Sequence, residues 1–421
     1  MPYTMPMNKQ TCFLTIIMTF GVAVGQSQSE GLTSSPYSLY GLGVINQTSV
    51  GKSNGLGYTG IGVKTEMEIN NLNPSNFALI PQYSFFYNVG LSGAYNNYSN
   101  SGDNEVRTTL NFSNIAIAFR VTEGVGAGIT MIPYSDVGYT LVGLQSNIEG
   151  SNEIFESNVS GIGGLSDLRF NLGFRILPEL RIGLSSSLLF GSIEENETFQ
   201  ISSSTFESTE TTNYRGVRLG LGLQYDLLKN ITMGTTIQLP SSLNGNLKRT
   251  ILKNLDGTEI TVENGTVDDI TSFNMPLELG LGISGTFYKK LTLSADYKKN
   301  YWNATGQTEN IGKYSDQNIY AFGLEYLEDS KGFKYIQRMR YRIGFNYDDG
   351  YLDINNTKID GFNLTAGIGL PISRSTNSLL NLSYSFGSKG QIKNVLVREN
   401  YHLLSLNMSL EDMWFRKRKI N

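Results

Sequence analysis

Few residues in this chain could do chemistry, and they are scattered. Its 421 residues include one histidine, His402, and one cysteine, Cys12. Zinc sites and His-based nucleophilic catalysis need more imidazole or thiol than that. Gly280-Leu-Gly-Ile-Ser-Gly285 has the glycine spacing of a dinucleotide loop, yet it lies within an alternating strand pattern and opens no helix. Asp348-Asp349-Gly350 with Asp353 offers loop carboxylates to calcium, but the terminal Glu of a calcium loop is missing, and a solvated hairpin tip accounts for them. His402, at the start of the last strand, reads as a surface histidine. No catalytic residue, metal or cofactor is expected, and the chain does not read as an enzyme.

A second chemical set is ionic. Arg169, Arg175, Arg181, Arg218, Glu278, Asp296, Lys298, Glu325, Arg340, Arg342 and Glu411 occupy one face of successive strands. They either line an ionic path or neutralise one another and a segment packed on them; the cost of unpaired interior charge favours the second. What positions them is a strict period of two. Val217, Leu219, Leu221, Leu223 and Tyr225 alternate with Arg218, Gly220, Gly222, Gln224 and Asp226. Tyr341, Ile343, Phe345 and Tyr347 alternate with Arg340, Arg342, Gly344, Asn346 and Asp348 in the same way.

Such strands suit either a soluble sandwich or a membrane barrel, and the connections decide. Strands are expected near 82–95, 107–121, 125–142, 161–176, 180–193, 214–227, 231–240, 275–287, 291–302, 317–327, 338–348, 360–372, 379–387 and 400–411, fourteen in all. Short links alternate with long ones, such as Leu177-Pro178-Glu179 followed by Glu194 to Asn213. Even strand number and alternating link length mark an outer-membrane barrel, with lipid on the apolar face and the lumen on the polar one. The fold class expected is all-β: a 14-stranded antiparallel transmembrane β-barrel with both termini on the short-turn, periplasmic side. In the second strand Leu110 and Phe112 are even but Ile115, Ile117 and Phe119 odd, which predicts a bulge near Ser113-Asn114.

Residues 1–25 read as a signal peptide: Lys9, an apolar core from Phe13 to Val24, and the small-residue site Ala23-Val24-Gly25. Its removal loses one Lys and no acid, taking the net charge from −4 to −5 and leaving no cysteine. Weak acidity argues against nucleic acid as a partner. Residues 81–413 form the expected barrel and 414–421 a basic tail after Trp414-Phe415.

Residues 26–80 do not alternate. Within them, the glycine-rich run from Tyr37 leads to Asn73-Pro74-Ser75-Asn-Phe77-Ala-Leu-Ile80, where Asn73 can cap a short helix that has Pro74 at its start and an apolar side from Phe77 to Ile80. This segment is expected to fold inside the barrel as a hatch.

A secreted chain, an Asn-Pro-small motif (Asn73-Pro74-Ser75) and fourteen strands resemble the outer-membrane long-chain fatty acid transporter (FadL-like) family. Ser35-Pro36-Tyr37-Ser-Leu-Tyr40-Gly-Leu-Gly43, Met131-Ile-Pro133-Tyr-Ser-Asp-Val-Gly-Tyr139 and the Trp-Phe-basic end look like its Bacteroidota members. The resemblance implies a barrel blocked by an N-terminal hatch, with substrates bound in an apolar pocket beside it and leaving sideways through the wall. It places Asn73, Pro74 and Phe77 in the hatch, and Tyr37 and Tyr40 join them as candidate substrate or hatch residues. The function expected is passive uptake of small hydrophobic, fatty-acid-like compounds. The alternative is a structural subunit of an outer-membrane secretion or assembly complex. Expected partners are outer-membrane lipid, hydrophobic small molecules and, for the alternative, other outer-membrane or periplasmic proteins.

Overall fold

A computed structural model describes residues 33, 35–47, 49–102, 104–147, 154–201, 204–255, 257–307, 312–374, 376–393 and 396–413. The expected signal peptide and basic tail lie outside them.

Fourteen strands make the wall: β1 (Ser84–Ser99), β2 (Asn104–Thr122), β3 (Val125–Asn147), β4 (Ile154–Arg175), β5 (Leu180–Ile201), β6 (Ser204–Leu228), β7 (Ile231–Gln238 and Ser241–Leu255), β8 (Thr258–Met275 and Glu278–Phe287), β9 (Leu291–Asn300), β10 (Gln317–Leu327), β11 (Arg340–Asp348), β12 (Gly361–Pro371), β13 (Leu379–Lys389) and β14 (Arg398–Met413). Each pairs antiparallel with its neighbour in sequence. β1 closes the sheet on β14, from Ser84↔Met413 to Ser99↔Arg398.

The alternation sorts the two faces as expected. Val217, Leu219 and Leu221 are 56%, 54% and 45% exposed on the outside of β6, while Arg218 and Gln224 between and beside them are 4% and 0% exposed. Exposed apolar and buried charged residues invert the soluble pattern and fit a wall that meets lipid. The predicted bulge is present: Gly90 pairs with Asn114 and Leu91 with Phe112, so Ser113 is the extra residue. It keeps Leu110 and Ile115 both outward despite their opposite parity.

Three expected long loops are strand in their described residues. Residues 143–160 extend the β3–β4 hairpin to Asn147↔Ile154, 194–213 form the outer half of the β5–β6 hairpin, paired out to Ile201↔Ser204, and 241–274 form the outer β7–β8 hairpin. These hairpins stand beyond the lipid, where neither face must be apolar, so the alternation that marks the other strands fades. β7 and β8 are interrupted side by side, at Leu239-Pro240 and Pro276-Leu277, because proline has no amide for the ladder. Arg218 fills the break. Its guanidinium donates to Leu239 O at 3.0 Å and to Pro276 O, and pairs with Glu278 at 2.6 Å.

Candidate functional site

Residues 35–80 run from the long-loop end of the barrel to its short-turn end, touching the inner side of strands from both halves of the sheet. At the long-loop end, Ser35 caps a 3-10 helix, Pro36–Leu39. Tyr37 packs with Leu352, Ile354, Ile359 and Leu396, its hydroxyl donating to Val397 O at 2.5 Å. Burial pushes the Tyr37 and Tyr351 phenols well above their ordinary range, so both stay neutral donors. Tyr40 lies at the edge of the same cluster.

Leu42 then enters an apolar pocket. It is 2% exposed among Tyr134, Leu165, Leu189, Leu243, Phe273 and Trp302. Trp302 stacks between Tyr314 and Tyr351, ring centroids 5.3 and 5.4 Å away. The Trp302 Nε1–H is buried without a partner. A cavity of about 150 Å³ lies beside this finger, lined by Ser38, Gly41, Tyr139, Glu195, Glu210 and Tyr214 among others.

Further in, polar side chains of the wall grip the segment. Asp296 accepts from the amides of Gly60 and Ile61, and Gln224 donates to the carbonyls of Ile61 and Val63 at 3.1 and 3.2 Å. Glu68 accepts from Asn381 at 2.7 Å and faces Arg342 at 3.4 Å and Arg340 at 3.6 Å, with Glu325 on the far side of Arg342 at 2.6 Å. Lys64 and Arg181 share Asp226. Most of the inward charges thus neutralise one another and the segment, as the cost of unpaired interior charge predicts; Arg175 is exposed, and Glu411 accepts from Ser84 and from the Asn377 amide.

The inward glycines have the same cause. A Cβ on Gly282 would run into Asp296 and lie 2.6 Å from Gly62 N, and one on Gly128 would strike the Phe77 ring. Gly280 to Gly285, the dinucleotide-like run, is a seat for backbone rather than for phosphate.

At the short-turn end Asn73 caps the helix Pro74–Leu79 by accepting from Ser75 N, and the helix is 3-10 rather than α. The Asn73 amide donates to Ile61 O at 3.0 Å and Leu223 O at 3.1 Å, joining segment to wall. Phe77 packs with Ile80, Phe86, Ala116 and Ala118. The five candidate residues therefore fall into two groups at opposite ends: Tyr37 and Tyr40 at the long-loop end, Asn73, Pro74 and Phe77 at the short-turn end. The structure does not bring them together. Leu42 and Asp296 escaped the sequence reading as site residues. Leu42 stands within the quoted Ser35–Gly43 motif, flanked by two glycines, which was the available signal.

The wall itself is incomplete. The β2–β3 ladder runs from Thr122↔Val125 only to Ile115↔Met131, although β2 continues to Asn104 and β3 to Asn147. Above that level β2 pairs with β1 alone. The edge of β3 is met instead by Val44–Ile45, paired as Val44↔Asp136 and Ile45↔Ser135.

The other candidate chemistry is engaged by protein donors. Asp348 accepts from Gln317, and Asp349 from Asn318, both at 2.8 Å, while Asp353 faces Lys313 at 3.7 Å. Among the described residues no cluster suits a metal ion. His402 is exposed on the outer wall, its Nδ1 2.6 Å from the Tyr384 hydroxyl.

The fold is that of known barrels. The Pseudomonas putida toluene transporter TodX matches at TM-score 0.60 and 14% identity, over 88% of this chain and 99% of that one. The Ralstonia pickettii toluene transporter TbuX matches at TM-score 0.59 and 16% identity, over 86% and 98%. A Pseudomonas aeruginosa FadL homologue matches at TM-score 0.61 and 12% identity, over 88% and 99%. No curated protein sequence matches. A family model described as BamG matches residues 7–421. One family model thus covers nearly the whole chain, on a FadL-like barrel: the chain belongs to the BamG family.

Proposed function

We propose that the chain is a passive conduit across the outer membrane for small hydrophobic compounds, with residues 35–80 as its hatch. Short turns face the periplasm and long hairpins the outside. The observation that carries this reading is the stretch of wall above Ile115↔Met131 where β2 and β3 do not pair, next to the apolar pocket that holds Leu42. A compound too apolar for water gains by passing from such a pocket into lipid without crossing the polar lumen. The similar barrels named as toluene transporters support the substrate class. Toluene crosses plain phospholipid freely, so the test uses vesicles with a lipopolysaccharide outer leaflet, whose packed saccharides are the barrier: those containing the protein are expected to admit toluene about tenfold faster than protein-free ones, since a pocket and slot bypass that polar layer. Equal rates would sink the reading.

A second reading, a scaffold within an outer-membrane protein complex, is supported by the turn Glu328 to Met339. There Phe333 is 90% exposed and Ile336 60%, beside Lys331, Lys334 and Arg338. An apolar patch rimmed with cations on the short-turn side suits a protein partner. Stable co-purification with envelope proteins in mild detergent, with no lipid or fatty acid bound, would favour this second reading.

A further inference from the structure

The break in the wall has an occupant whose bonding is too slight to be permanent. Val44 and Ile45 form a two-residue strand on the edge of β3. Asn46 N donates to Tyr134 O at 2.9 Å, while Ile45 N turns away to the Tyr351 hydroxyl at 3.4 Å. Val44↔Asp136 is therefore a hydrogen-bonded pair and Ile45↔Ser135 a non-hydrogen-bonded one. Side chains add two ties: Asn46 Nδ2 donates to Asp136 Oδ2 at 2.8 Å, and the Ser38 hydroxyl accepts from Gly138 N at 3.0 Å. Every other strand edge in the wall is bonded by a long neighbour or stands free. This edge alone, among the described residues, is held by the N-terminal segment.

We propose that Val44–Ile45 is a latch strand: bonded to β3 it keeps the slot between β2 and β3 shut, and its release opens the slot to the membrane. A handful of hydrogen bonds is weak enough for reversible opening. The Ser135 hydroxyl and Asp136 Oδ1 behind it are buried without partners, so the site is under-satisfied even when closed. The latch is also wired to the pocket. Tyr351, which accepts from Ile45 N, donates to Gly43 O at 3.1 Å and stacks on Trp302. A molecule that displaces Leu42 moves the residues next to the latch.

This inference rests on the transport reading, and the test separates the two. In a C12S background, I45C/S135C places two thiols on the non-hydrogen-bonded pair, where Cβ atoms approach closest. Toluene entry into the same lipopolysaccharide-faced vesicles is compared for the oxidised and reduced forms, with cross-linking scored by gel mobility. The latch predicts that oxidation cuts entry about tenfold and reductant restores it, because a tethered strand cannot open. Entry unchanged in fully cross-linked protein overturns the latch. If even unmodified protein adds nothing to toluene entry, the transport reading fails, and hydrogen exchange decides the latch on its own. Amides of Tyr134 to Gly138 should then exchange about tenfold faster than those of Ile129 to Met131, and faster still in N46A. Equal protection overturns the latch.

Discussion

The Asp296 carboxylate accepts both the Gly60 amide, at 2.7 Å, and the Ile61 amide, at 2.9 Å, tying a wall strand to the middle of the N-terminal segment across more than 230 residues of sequence. Both residues are buried. Asp296→Ala should therefore strand two buried donors, at about 1–3 kcal/mol each. The folded band in semi-native electrophoresis should be lost at a lower temperature, and protease should cut near Gly60. Asp296→Asn, which keeps an acceptor, should lose less. Equal melting of D296A and unmodified protein would refute the anchoring role.

Glu68 is the segment's carboxylate contact with the Arg340 and Arg342 side chains, and it also accepts from Asn381. Its removal leaves the buried Arg340 guanidinium without its carboxylate partner and Arg342 with Glu325 alone, which for a broken buried pair costs about 3–5 kcal/mol. Glu68→Ala should loosen the segment and raise ionic leak through single barrels in a planar bilayer. Glu68→Gln, which keeps the hydrogen bond from Asn381, should leak less. A quiet E68A barrel would show that the segment is held elsewhere.

The sequence exposed the wall far better than its contents. Alternation in 214–227 or 338–348 survives because each outward position must be apolar and each inward one must not, a constraint repeated along the whole strand. The outer β5–β6 and β7–β8 hairpins carry no such constraint, and their Ser, Thr, Asn and Glu residues looked like loop. Asn73-Pro74 was legible because a cap and its helix are local. Asp296, Gln224 and Glu68 were not, since their partners lie more than 150 residues away. The inward glycines were visible only as small residues. That they are seats for Gly62 and Phe77 required the structure.

Gly41 has φ +57°, and a Cβ there would meet the Tyr314 hydroxyl and lie 3.0 Å from the Phe273 ring. Gly41→Ala should thus withdraw Leu42 from its pocket, adding overpacking of about 1–3 kcal/mol to a backbone cost of about 1–2 kcal/mol. Trp302 reports the change. In a W414F background, which removes the other tryptophan, its emission should shift to the red. Gly143→Ala is the control, because Gly143 shares a positive φ of 72° but has open space around it. A shift in both variants, or in neither, would contradict the packing account.

Ser113 is the residue that makes the bulge in β2, just above the level at which β2 and β3 stop pairing. Its deletion leaves Phe112 outward, Asn114 inward and Ile115 outward, a regular alternation with no side chain moved to the wrong face. A straight β2 no longer bends away from β3, so the ladder can continue past Ile115↔Met131. The deletion should therefore stabilise the wall while blocking it. Melting temperature should hold or rise, and toluene entry should fall by about tenfold if the slot is the exit. Deleting Asn114 instead would put Ser113 at the inward position, remove the hydrogen bond from Asn114 to Asn88, and straighten the strand at some loss of stability. Two deletions that differ in stability yet agree in blocking entry would locate the exit at the slot. Unimpaired entry in both would place it elsewhere in the barrel.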